Sequence, residues 1–97
     1  MVQYEETEES LVAVFSGRLD TVFCQESELQ VMERVRAARG RVEFDLAKAD
    51  YVASAFLRLC LQAAKALGKD RFAVVRVNPF VKKVFKIAGM DSLLAED

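Results

Sequence analysis

The 97-residue sequence contains no histidine and only two cysteines, Cys24 and Cys60. A structural zinc centre takes four Cys or His ligands, so two thiols alone cannot build one, and both are expected to be buried and reduced. Without imidazole the commonest general base is missing, and no Ser-His or Cys-His pair can form. Neither a G-x-x-x-x-G-K-[ST] phosphate loop nor a G-x-G-x-x-G fingerprint occurs. The residues therefore point away from an enzyme, and no cofactor or metal is expected. No apolar run approaches the roughly 20 residues that a membrane span needs, so no direct membrane insertion is expected. The opening MVQYEETEES is acidic and alternating, the reverse of a signal peptide, and a cytoplasmic location is expected. Fourteen Lys and Arg stand against 15 Asp and Glu, with no long tract of one sign. That balance disfavours both disorder and a nucleic-acid partner.

What is present suffices for one core: 53% of the residues are apolar, and a chain of this length makes one domain, residues 1–97. Val2 and Tyr4 alternate with Gln3 and Glu5 as in a short edge strand, and Glu8-Glu9-Ser10 reads as a turn. LVAVFS, residues 11–16, predicts a more central strand ended by Gly17. Asp20 or Thr21 then caps a helix running to about Ala38. Its buried side is Cys24, Val31, Val35 and Ala38, with Leu29 and Met32 flanking. Arg34, Arg36 and Arg39 gather where cations meet the negative end of the helix dipole, which explains them better than a nucleic-acid patch. A strand over 41–46 follows Gly40, and another is predicted over 71–77. Asn78-Pro79 opens a last helix with Val81, Val84, Phe85 and Ala88 inward and Lys82, Lys83 and Lys86 outward. Gly89 is placed as its left-handed terminator.

The stretch Asp50–Gly68 organises the rest. Ala53, Phe56, Leu57, Cys60, Ala64 and Leu67 share one helix face, and Ser54, Arg58, Gln62, Lys65 and Lys69 the other. Leu59 and Leu61 belong to neither, which widens the apolar surface to either a docking face or a crowded core.

Gly17-Arg18-Leu19-Asp20, Val42-Glu43-Phe44-Asp45-Leu46, Ala49-Asp50-Tyr51-Val52, the helix opening at Ser54, Val77-Asn78-Pro79 and Val84-Phe85-Lys86-Ile87-Ala88-Gly89-Met90-Asp91 recur in this order over nearly the whole chain. In order and spacing they resemble the STAS family of anti-sigma factor antagonists and transporter cytoplasmic domains. The resemblance implies an α/β fold, with a mixed four- to five-stranded sheet, the first strand at an edge and the helices mainly on one face. It places Ser54 on the serine that a partner kinase, itself the anti-sigma factor, phosphorylates. Where the family usually has aspartate this chain has Ala53, and where glycine is usual it has Phe56 and Arg58.

On that resemblance the candidate partner surface is Asp20, Thr21, Ala53, Ser54, Ala55, Phe56, Arg58, Leu59 and Leu61. The partner is either an anti-sigma factor with serine kinase activity or the ATPase subunit of a transport complex, and self-association as a homodimer stays open. Ser54 reads equally as a helix cap or as a phosphorylation switch. Phe56 reads as core before contact. Asp20 and Asp45 as an acid–base pair yield to a cap and a loop-facing strand end. An anion site at the Gly17–Thr21 and Ser54 helix ends is the least supported reading.

Overall fold

The computed structural model describes residues 1–68 and 70–95. Strand β1 (Val2–Glu6) pairs antiparallel with β2 (Ser10–Leu19), and β3 (Arg41–Val52) and β4 (Phe72–Val75) add in parallel, giving the order β1-β2-β3-β4. Helix α1 (Thr21–Ala37) joins β2 to β3 and α2 (Ser54–Leu67) joins β3 to β4. After β4 comes α3 (Pro79–Ile87), then a 3-10 turn (Asp91–Leu93), then a single parallel bridge from Leu94 to Val74 where a fifth strand would lie. Each crossover steps one strand in the same direction, and right-handed crossovers of that kind lay their helices on one sheet face.

Burial follows that layering. Leu11, Ala13 and Phe15 of β2, Val42, Phe44 and Leu46 of β3, and Phe72 and Val74 of β4 point into the helices and are buried. Val12, Val14, Glu43 and Val75, on the other face, are only partly covered. Phe44 is the hub: its ring meets Phe15 and Phe72 edge-on, each at 4.9 Å between centroids, and Phe56 of α2 at 6.2 Å.

Two strands outrun their expected ends. Gly17 does not stop β2; at φ 80° it takes up one of two register breaks, and pairing continues to Leu19 opposite Val52. Without the second half of β2 as partner, residues 47–52 carry no strong strand pattern, which is why β3 was expected to stop at Leu46. β4 is shorter than expected because Arg76 turns the chain at φ 57°. Asp45 is not a loop-facing strand end: it lies within β3, 5% exposed, accepting from Ala47 N–H at 2.9 Å and Arg76 Nη1 at 3.3 Å. Gly40 sits beyond α1, whose C-cap is Ala38, and a Cβ there would overlap the Glu9 carbonyl that Arg41 N–H bonds at 3.0 Å. Arg71 holds the same corner, donating to the carbonyls of Ala38 (2.9 Å) and Gly40 (3.0 Å). Arg34, one of the three arginines near the end of α1, pairs with Glu6 at 3.2 Å and stacks on Tyr4 at 4.3 Å.

Removing the hub leaves three rings facing a void. Phe44→Ala is expected to lower unfolding free energy by about 3–5 kcal/mol, read as a fall in the urea midpoint with the slope unchanged.

Candidate functional site

Because β2, β3 and β4 run parallel, the helices that follow them all begin at the same edge of the sheet. Three first turns therefore stand side by side. α1 is capped by Asp20, whose Oδ1 accepts from Phe23 N–H at 2.9 Å, and α3 by Asn78, whose Oδ1 accepts from Val81 N–H at 2.8 Å. The Asn78 amide also donates to the Ala49 carbonyl at 3.1 Å, tying α3 to β3. α2 differs. Its cap is Ala53, which has no side-chain acceptor, and Ala53 N–H is spent on the Leu19 carbonyl at 3.0 Å. That bond stitches the end of β2 to the start of α2.

Ser54 is accordingly not the cap but the first helical residue, with its side chain in solvent. Phe56, the bulky residue in its neighbourhood, turns the other way: it is fully buried, 5.0 Å from Phe15 between ring centroids. The ring thus fills the core beneath the serine without covering it. Leu59 is also fully buried, so neither Phe56 nor Leu59 offers surface to a partner, and both leave the candidate set. The pattern put Phe56 on the buried face but missed Leu59, because α2 buries a wide arc, including Ala63 rather than Ala64, under the Phe15–Phe44 layer. Thr21, Ser54, Arg58 and Leu61 are exposed, and Asp20, Ala53 and Ala55 are partly so.

Three further groups at this edge escaped the sequence. Val22 and Phe80, each the second residue of its helix, are both 60% exposed. Their signal was available: both follow a capping residue by two and fall outside the buried stripe. The third is Arg18, whose guanidinium lies 4.4 Å from the centre of the Tyr51 ring, a contact that only the β2–β3 register creates.

Cys24 of α1 and Cys60 of α2 are free and buried. Burial raises both thiol pKa values, Cys60 well above the usual range, and at Cys24 the charges of Asp20 and Glu28 add to the rise while Arg58 opposes it. Both are neutral thiols at pH 7. Among the described residues no three His, Cys, Asp or Glu side chains stand together as a metal site. No helix among them is long and apolar enough to cross a membrane. A cleft of about 940 Å³ between the β1–β2 turn and the end of α1 shares no residue with the Ser54 edge. A smaller apolar groove of about 260 Å³ runs from Leu61 and Ala64 to Gly89, Met90 and Leu93.

The family model described as Mlab, STAS domain, matches residues 2–95. The chain belongs to the STAS family. BtrV of Bordetella bronchiseptica, assigned as an anti-sigma factor antagonist, is 32% identical over 85 residues, spanning 86% of this chain and 73% of BtrV. The anti-sigma factor antagonist SpoIIAA in its unphosphorylated form superposes with a TM-score of 0.84 at 20% identity, over 100% of this chain and 88% of that one. The phosphorylated form of SpoIIAA, a Bacillus cell fate determinant, gives 0.76 at 19%, over 100% and 91%. A STAS domain protein from Planctomyces limnophilus gives 0.83 at 19%, over 96% and 85%. The fold is that of these proteins, and the chain is a STAS module related to anti-sigma factor antagonists.

The capping asymmetry is measurable in this STAS domain. Asp20→Ala is expected to cost about 1 kcal/mol of stability, whereas Ala53→Asp, which supplies α2 with the missing acceptor, should add about 0.5–1 kcal/mol; paired urea titrations check both signs.

Proposed function

We propose that this STAS domain is a non-catalytic regulatory module that docks through the Ser54 edge on an anti-sigma factor with serine kinase activity and is switched by phosphorylation of Ser54. The observation that carries the reading is the placement of Ser54: an exposed hydroxyl on the first turn of the one helix, of the three, whose start has no side-chain cap. Exposed Val22 and Phe80 on the neighbouring first turns give a partner apolar purchase around it. The relationship to BtrV and the likeness to SpoIIAA, known in phosphorylated and unphosphorylated forms, support the same reading.

In the modification, Ser54 Oγ bonds to the terminal phosphorus of a nucleoside triphosphate as the bridging P–O bond breaks. The diphosphate leaves, and the hydroxyl proton passes to the kinase. The product carries about −1.5 to −2 more charge at this edge. A partner surface shaped to an uncharged hydroxyl must then desolvate or repel that charge. A penalty of about 3 kcal/mol already lowers affinity more than a hundredfold. The added group sits at a helix N-terminus that no side chain caps, an end that favours an anion, so the domain itself has no reason to unfold.

A second reading is a permanent subunit of a bacterial transport complex, contacting its ATPase subunit and never phosphorylated. It is favoured by Leu61, exposed beside the apolar groove that leads to Met90 and Leu93. Intact-mass and peptide mapping of the protein from its native cells separates the two: the switch predicts a phosphate on the Ser54 peptide under some growth condition, the permanent subunit none. On the switch reading, Ser54→Asp is expected to cut recovery of the co-purifying partner at least tenfold while Ser54→Ala retains it. Undiminished recovery with Ser54→Asp, together with no phosphate, overturns the switch in favour of the permanent subunit.

A further inference from the structure

Arg58 is a charged residue of this edge that has no structural task. It is exposed on α2 one turn after Ser54, and among the described residues it takes no part in an ion pair, hydrogen bond or aromatic stack. Two acids that act with Arg58 on the Cys24 thiol are otherwise engaged. Asp20 holds Phe23 N–H, and Glu28 accepts from the Gln62 amide at 3.1 Å. The Cys24 thiol on α1 feels the charge of Arg58 alongside those two carboxylates.

Residues four apart on a helix bring their Cβ atoms to about 5–6 Å, and an anion at the first position with a cation at the second is the favourable order. A phosphate on Ser54 is within reach of the Arg58 fork, whose donors match phosphate oxygens two at a time. We propose that Arg58 is the internal counter-ion of phosphorylated Ser54: it presents a free cation to the partner while Ser54 is unmodified and turns onto the phosphate once the group is added. The proposal rests on the reading of Ser54 as the switch residue. Modification then changes the docking surface twice, by adding an anion and by withdrawing a cation, and the local charge passes from +1 to about −0.5 to −1. The partner face that suits the unmodified state is one that sets a carboxylate opposite Arg58. That carboxylate loses its counter-ion in the same step that brings a phosphate toward it. Glycine, usual at this position in the family, can do neither.

The test uses the full chain with phosphoserine incorporated at position 54 during translation, so that no kinase is needed, and reads the second ionisation of the phosphate by ³¹P NMR against pH. A cation beside the phosphate favours its dianion and lowers that pKa. The expected result is an ionisation about 0.3 pH unit or more higher in Arg58→Gln than in the parent, with Arg58→Lys in between. Arg18, held over Tyr51, and the acids Asp20, Glu28 and Asp50 are the same in all three proteins, so the difference isolates Arg58. Amide spectra of the three confirm that an exposed substitution has left the fold intact. Identical ionisation with and without Arg58 overturns the counter-ion assignment, and it does so independently of whether native cells phosphorylate Ser54. Absence of phosphate in native cells, with the shift present, instead overturns the switch that the pairing was proposed to serve.

Discussion

The parallel pairing of β2 with β3 governs the rest of this molecule, because it is carried through two register breaks as far as Leu19 and Val52. Had the pairing stopped where Gly17 first interrupts it, the ends of the two strands would have been free to splay, and the starts of α1 and α2 with them. Instead the last rung is completed by Ala53 N–H on the Leu19 carbonyl. A helix start is thereby fastened to the neighbouring strand by a backbone bond, which fixes where Ser54 emerges without using any side chain. The same register sets Arg18 over Tyr51, so a cation and an aromatic ring brace the edge from the sheet side.

Beneath that edge the packing divides two adjacent demands. A residue two positions after Ser54 lies about 200° around the helix from it, so one can face solvent while the other faces the sheet. Phe56 takes the inward position and meets Phe15 edge-on, a preferred arrangement of aromatic rings in a core, with Phe44 tilted 6.2 Å away. The bulk that departs from the family pattern is thus absorbed by the interior. What reaches the surface from the departures is only Ala53 and Arg58, the first an absence of an acceptor and the second an added charge.

Much of the layout could be read from the chain because it is local chemistry. Asp20 and Asn78 are caps on a short-range geometry that any sequence shows, and Gly89, at φ 73°, ends its helix as a left-handed glycine with Met90 N–H returning to the Phe85 carbonyl at 2.8 Å. The misplacements are all non-local. Gly17 has the same conformational freedom at a bulge as at a strand end, and only the partner strand decides between them. Ser54 is as good a capping residue as a sequence can offer, yet the backbone bond between Ala53 and Leu19 moves the cap one position earlier. Leu59 lies off the narrow stripe but under a three-ring layer contributed by β2, β3 and β4, and a layer of that width is not visible in the helix alone. Asp45, expected as a loop-facing strand end, is buried in mid-strand, where a carboxylate needs partners; Ala47 N–H is a local one, but Arg76 is brought near it only by the fold.

The helix that lacks a cap is also the one that carries the exposed serine, and the two facts have a common cause. A side-chain acceptor at position 53 would occupy the N–H groups at the start of α2 and set a carboxylate or hydroxyl next to Ser54. With alanine there, the start of α2 has no side-chain acceptor and Phe56 N–H closes on the Ala53 carbonyl at 2.9 Å instead, and the domain forgoes about 1 kcal/mol that the other two helix starts retain. In a protein whose net stability is a small difference of large terms, such a sacrifice is tolerable only because α2 is held from below, by Phe56, Leu59, Cys60 and Ala63 in the core. Tertiary packing, not capping, keeps this helix formed. The freedom to leave its first turn open to another molecule therefore comes from the depth at which the rest of the helix is buried.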